Sequence, residues 1–561
     1  MTILLKNGKV LNVFTGEIEE KNVLIEDRRI AGVGDYTKAD IIEDVSGKII
    51  CPSFIDGHIH IESTMLLPRE LAKVCVPHGT CAVVADPHEI ANVCGILGLS
   101  YMLEASESLP MKFYFTLPSC VPATGFDESG AVLRPRDLEP YYSHNRVLCL
   151  GEMMNYPGVV NSDPDVLAKL EQAKRHGRII NGHAPLLSGR GLDKYVACGI
   201  SDDHECSTFE EAVEKLRKGQ FIMIREGTSA RNLEKLINLF DPPFNHRCLL
   251  VTDDKHPYDL LENGHIDSII RRAVELGKSA VTGIQMATIQ AAQYFGLRGL
   301  GAVAPGYYAN LLVLDDIDTV AIRDVYYSGI RVCKNGQLVP TDRADINPII
   351  AKPVYHSFYM NPITAKDFHI EPKGKKCRVI QAVQGELLTN EVIRTPDFSK
   401  NNGIDPDRDL IKLAVCERHM MTGHVGLGFI EGLGIRRGAI ASSVSHDSHN
   451  LIIVGANEED MALAGNTIRN MGGGLCVVLD GKIVAEMPLP IAGLMTDKDA
   501  QTASRENFAV REAVKNLGTR EGIEPFMNTA FISLTVIPSL KMTTKGLVDV
   551  NRQELVPLFV E

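Results

Sequence analysis

The chain is 561 residues long, with 58 Lys+Arg against 71 Asp+Glu and a formal net charge of −13. Hydrophobic residues make up 45% and charged residues 23%, the balance of an ordinary globular protein, which excludes disordered and fibrous classes. The acidic balance offers no footprint for nucleic acid or an anionic membrane, and no apolar run approaches the roughly 20 residues that span a bilayer.

The first residues, MTILLKNGKVLNVFTGE, are interrupted by Lys6 and Lys9 and lack the apolar core of a secretion signal, so a cytoplasmic protein is expected. Thirteen cysteines are scattered with no C-x-x-C pair, which reads as small buried hydrophobes, not a zinc ribbon or a disulfide framework. Any metal would fall to the 17 histidines and the carboxylates.

Residues 1–52 read as short strands (ILLKNGKVLNV, KNVLIEDRRIAGVG, DIIEDVSGKIICP) separated by Gly and charged turns. The same texture returns at 301–316 and 325–339, so a small β-sandwich is predicted from both flanks, 1–52 plus 301–345. Between them, 53–300 alternates apolar runs with helical patterns such as DPDVLAKLEQAKRHG. Eight runs are counted, at 51–60, 80–87, 112–118, 147–153, 178–185, 199–205, 221–227 and 247–254. Eight strand–helix units in this length predict a (β/α)₈ TIM barrel. A doubly wound open sheet would carry a Gly-rich loop after its first strand, and FIDGHIHIEST is not one. Residues 346–561, entered through NPIIAKP and YMNPITAKD, predict a C-terminal α+β domain.

His58 and His60 are two residues apart on the first predicted strand, so their side chains share a face and can grip one ion. Glu152 closes the fourth run, His183 the fifth, His204 the sixth and Asp253 the eighth. Their separations of 92, 31, 21 and 49 residues from His60 onward match multiples of a βα unit. Four imidazoles and two carboxylates at the active face of a barrel suit two divalent cations, with Glu152 between them.

The motifs DGHIHIEST, VVADPHEIANVCG, LGEMMNYPGVV, NGHAP, SDDHE and VTDDKHP together resemble the adenine deaminases of the amidohydrolase superfamily, and HVGLGFIEGLGIRRGAIASSVSHDSHNLIIVG resembles their C-terminal segment. Where many superfamily members carry a carboxylated lysine on strand four, Glu152 stands here. Leu186 stands where relatives with H-x-x-E on strand five have an acid, so the proton donor must lie elsewhere. The resemblance implies two metal ions, manganese first, with iron or zinc as other candidates, and a homodimer. Its substrate would be adenine, attacked at C6 by a hydroxide shared between the metals and converted to hypoxanthine and ammonia.

Asp253 is then the expected proton shuttle, and Glu89, in the DPHEI loop after strand two, the expected donor to ring N1. Glu89 could instead serve the helix N-terminus, and Asp86 could cap it. His88, Asp203 and Asp254 are candidate supports: one acid among Asp202, Asp203 and Glu205 would orient a ligand imidazole, and strand alternation would turn Asp253 or Asp254 away. The His446-Asp447-Ser448-His449 cluster reads as a loop closing over the barrel mouth, or as a polar turn satisfying its own backbone. Ser448 has no nucleophile elbow, and NMGGGLCVVLDG reads as a turn. Two other functions remain as alternatives: a binuclear hydrolase opening a cyclic amide, which the same ligands would serve, and a non-catalytic scaffold, which would be expected to lack ligands.

Overall fold

In a computed structural model, the structure describes residues 1–228, 230–339, 346–384, 387–520 and 522–560. Eight strands, Phe54–Ile59, Thr80–Ala85, Lys112–Leu117, Val147–Met153, Ile179–Gly182, Asp202–Asp203, Phe221–Arg225 and Cys248–Val251, run in parallel. The first five form one sheet and the last three another. Parallel bridges from Ile180 to Ile200 and from Ile59 to Asp253 join the two sheets, closing the (β/α)₈ barrel. Every strand lies inside one of the eight apolar runs. The first run is divided, however: Cys51 and Pro52 end the flanking strand Ile49–Pro52, and the barrel strand starts at Phe54.

The flanking strands make two packed sheets. Thr2–Lys6, Asn22–Glu26, Arg29–Gly34 and Ile41–Asp44 form the first. The second combines Lys9–Asn12, Glu17–Glu20 and Ile49–Pro52 with Leu311–Asp316, Ala321–Tyr327, Ile330–Lys334 and Gln337–Leu338. Leu5, Val23 and Ile25 of one sheet meet Val10, Ile50, Leu311 and Val313 of the other in a common apolar core, as alternating strand patterns require. The boundary expected at 345 lies outside the described residues.

After residue 346 the chain builds a sheet whose central strands are Ile411–Cys416, Val425–Glu431, Ala439–Ser442, Leu451–Gly455 and Gly474–Leu479. Helices Glu458–Met471 and Ala500–Lys515 pack on it. The NMGGGL stretch ends the first of these helices on Gly472 at φ 75° and leads into the next strand, the work of a turn. Among the described residues no helix is long and apolar enough to cross a membrane.

Closure of the barrel rests on Asp56, fully buried at the seam between the first and last strands. Its carboxylate accepts from the Thr252 backbone N–H (3.2 Å), the Thr252 hydroxyl and the His58 N–H (3.2 Å), and faces His265 Nε2 at 3.1 Å. Removing it strands three buried donors and leaves His265 without its facing carboxylate, so Asp56→Ala is expected to lower the unfolding free energy by about 3 kcal/mol. Urea denaturation checks this; a shift within the error of wild type would remove Asp56 from the closure.

Candidate metal centre

The strand ends bring six side chains to one mouth. His60 Nε2 lies 3.2 Å from Glu152 Oε1 and 3.2 Å from Asp253 Oδ1, and His58 Nε2 lies 3.5 Å from the same Asp253 oxygen. On the other side of Glu152, Oε2 is 2.7 Å from His183 Nδ1 and 3.2 Å from His204 Nε2. Glu152 therefore faces histidines through both oxygens, the disposition of a carboxylate between two cation sites.

Local backbone chemistry fixes these positions. Asp253 N–H donates to the His58 carbonyl (3.0 Å), tying the ends of the first and eighth strands. Asp86 Oδ2 accepts from the Glu152 N–H (2.9 Å), and Gly151 is required beside it because a Cβ there would run into the Asp86 carboxylate. His60 Nδ1 sits 3.1 Å from the Asp86 carbonyl, which turns Nε2 toward the cleft.

These residues fit divalent ions. Nε2 of His58 is buried without a hydrogen-bond partner, an arrangement that is costly unless a cation takes its lone pair. The donors are imidazole nitrogens and carboxylate oxygens with no thiolate, a set that accepts manganese, iron or zinc.

The C-terminal unit closes the mouth. His446 Nδ1 lies 3.2 Å from Glu89 Oε1, and Asp447 Oδ1 lies 3.6 Å from His88 Nε2. Burial opposes charge on His446, but Glu89 outweighs it and pushes the imidazole up to about 9. Phe531 stacks on the His446 ring (centroids 4.3 Å, interplanar angle 14°) and, with Met154, Leu534 and Ile537, gives the cleft its apolar wall.

The sequence matches the model of the amidohydrolase family over residues 49–351 and that of the adenine deaminase C-terminal domain over residues 386–554. An adenine deaminase of Desulfatibacillum aliphaticivorans is 44% identical over 561 residues, covering 99% of this chain and 97% of that protein. One of Methanothrix thermoacetophila is 45% identical over 563 residues, covering 100% and 97%. The chain belongs to the adenine deaminase family. A solved dihydropyrimidinase from Brevibacillus agri is 16% identical with a TM-score of 0.49, covering 60% of this chain and 96% of that one.

In this member of the adenine deaminase family, His58, His60, Glu152, His183, His204 and Asp253 stand together in the cleft, with His88, Glu89, Asp254, His446 and Asp447 around them. Asp86 does not cap the helix His88–Cys94, whose N-cap is Pro87 with no side-chain bond; it holds Glu152 instead. Asp203 stays out of the cleft: its oxygens accept from the Ala184 N–H (2.9 Å) and Glu205 N–H (2.7 Å) and pair with Lys215 at 3.3 Å. It braces the turns that carry His183 and His204. The acid beside the imidazoles is Glu205, whose Oε1 is 3.4 Å from His204 Nε2 and 3.6 Å from His183 Nδ1. His449 sits behind His446, ring centroids 5.5 Å apart. Alternation does not turn Asp254 away, because Asp253 takes a left-handed φ of 57° and both consecutive carboxylates reach the cleft.

Sequence reasoning missed Arg225, Ser63 and the Phe531 wall. Arg225 closes the seventh strand, and its guanidinium donates to Asp253 Oδ2 (2.6 Å) and forks onto both oxygens of Glu205. The strand-end rule that found the other residues applies to it as well. Ser63 donates between Glu89 Oε1 (3.0 Å) and Asp254 Oδ1. Arg225→Met leaves two buried carboxylates without their cation and is expected to destabilise the metal-free protein by about 3–5 kcal/mol. Chemical denaturation after chelation measures it, and an unmoved midpoint would show that the pair carries no net stability.

Proposed function

We propose that this protein hydrolyses the exocyclic amine of adenine, giving hypoxanthine and ammonia, in a cytoplasmic homodimer loaded with manganese. The observation that carries the reading is the imidazole–carboxylate constellation at the barrel mouth, roofed by the family's own C-terminal unit. His58, His60 and Asp253 would hold one ion and His183 and His204 the other, with Glu152 shared. Two bound divalent ions supply Lewis-acid activation of water near neutral pH.

The protein's own residues do the rest. Asp253 Oδ1, on the cleft side, takes one proton from the attacking water and returns it to the departing amine. The water's second proton, released as the C6 carbonyl forms, replaces the one given to ring N1. The other oxygen of Asp253 is held by Arg225, so the carboxylate keeps one orientation through both transfers. Glu89 and His446 form a pair that shares a proton and delivers it to ring N1 as C6 becomes tetrahedral. Ser63 fixes Glu89 against Asp254. Phe531, Leu534 and Ile537 exclude water from the apolar flank of the base. Division into a flanking β-sandwich (1–52 plus 301–345), a barrel (53–300) and a roof (346–561) fits this separation of labour.

Ammonia release from adenine by protein reloaded with manganese is the test. Turnover with about two ions per chain is expected, chelation should abolish it and manganese restore it. Two tightly bound ions without adenine turnover would sink the substrate. Asp253→Asn is expected to reduce kcat by at least about 10³-fold while some metal stays bound; near-wild-type turnover would remove it from proton transfer. Glu89→Gln should lower kcat by about 10²-fold or more with metal content unchanged. An unaltered rate in that variant would return Glu89 to the helix terminus.

A further inference from the structure

Lys541 lies on the strand Leu540–Thr543 of the C-terminal unit, fully buried, and no carboxylate among the described residues pairs with it. Its Nζ donates to two backbone carbonyls, Phe531 (3.0 Å) and Leu387 (3.1 Å). Both those residues line the cleft, Phe531 with its ring stacked on His446. Burial pushes the amine down to about 7, toward the neutral form whose two N–H groups match these two acceptors.

Phe531 follows directly on the helix Pro525–Ala530, whose terminal carbonyls have no partner within the helix. The Ala530 carbonyl accepts from the His446 N–H (2.7 Å), and the Ile532 carbonyl from the Met542 N–H (3.0 Å). Lys541 takes the carbonyl between them. One short stretch thus fixes the helix end, the ring of Phe531 and the backbone of His446 together. From Phe531 the contact passes by ring stacking to His446, and from His446 Nδ1 to Glu89 at 3.2 Å.

A buried amine is a poor source of stability, since an apolar residue of similar volume generally packs as well. What an apolar residue cannot supply is two directed donors. We propose that Lys541 is a positioning residue: by holding the Phe531 and Leu387 carbonyls it sets the apolar wall and the His446–Glu89 pair against the substrate. In its kinetic form this inference rests on adenine as the substrate.

The experiment compares wild type with Lys541→Met, which fills the same volume without donors. Each is loaded with manganese, its metal counted, assayed for kcat and KM with adenine, and followed by hydrogen exchange. With metal content unchanged, KM is expected to rise at least fivefold and kcat to fall at least tenfold. Exchange should accelerate in peptides covering 525–537 and stay unchanged over 52–60. Wild-type kcat and KM would overturn the proposal, and so would a lower kcat at constant KM, which marks only a loss of active fraction. Should the Met variant fail to fold, Lys541→Gln, whose N–H groups fall one bond short, is expected to show the same changes in weaker form; wild-type values there overturn the proposal. If the wild-type protein leaves adenine untouched, the substrate reading fails by itself, and unchanged exchange at 525–537 then decides against Lys541.

Discussion

Charge placed in a dry space is the constraint around which this molecule is organised. Glu62, Glu89, Glu152, Glu205, Asp253 and Asp254 are all buried within one barrel mouth. An isolated carboxylate in such a place would take up a proton. Here His60, His183 and His204 surround Glu152, Arg225 bridges Glu205 and Asp253, and His446 answers Glu89. Burial raises Asp254, with Asp253 adding to the effect, and Glu62 is pushed up to about 8 by burial and by Glu89. The mouth therefore holds carboxylates paired with cationic side chains beside ones whose proton affinity burial raises, an asymmetry that acid–base chemistry can use.

That constraint also gives the C-terminal unit its reason to be there. The barrel supplies the carboxylates, but the cation for Glu89 comes from the loop at 446–449. The loop is in turn anchored from behind: Arg418, fully buried, donates to the His449 carbonyl (2.6 Å) and the Ala492 carbonyl (2.9 Å), and His419 Nε2 lies 2.7 Å from the Ser448 carbonyl. Water excluded by this roof would otherwise screen every interaction beneath it. Barrel and roof are electrostatically incomplete apart from one another, whatever each could do as a folded unit.

The barrel was legible because its signals are local and repeated: eight apolar runs, a polar residue at the end of most of them, and unit-length spacing between. His58 and His60 follow from period-two alternation alone. What escaped the sequence depends on long-range pairing. Arg225 looks like an ordinary strand-end cation until Asp253 and Glu205, 28 and 20 residues away, fold onto it. Asp203 and Glu205 are indistinguishable in SDDHE, and the backbone amides of Ala184 and Glu205, together with Lys215, decide that Asp203 turns outward. Phe531 carries no motif, and its place in the cleft is set by a helix end and a strand of the roof.

The dipeptide Asp253-Asp254 shows how a break in regular structure can make a site. An extended Asp253 would send the two carboxylates to opposite faces. The left-handed turn at Asp253 costs about 1 kcal/mol for a residue with a Cβ, and it is held by bonds on both sides. Asp253 N–H reaches the His58 carbonyl, and the Asp253 carbonyl accepts from the His60 N–H (3.3 Å). With that turn in place, Asp253 faces the histidines while Asp254 faces Ser63 and, through it, Glu89. One peptide unit thus fixes the separation between the group that would move the water proton and the groups that would protonate the ring. Both positions are set by backbone, so the spacing of the two carboxylates is fixed in advance, and that preorganisation is the larger part of what a rigid barrel can contribute to a proton-transfer reaction.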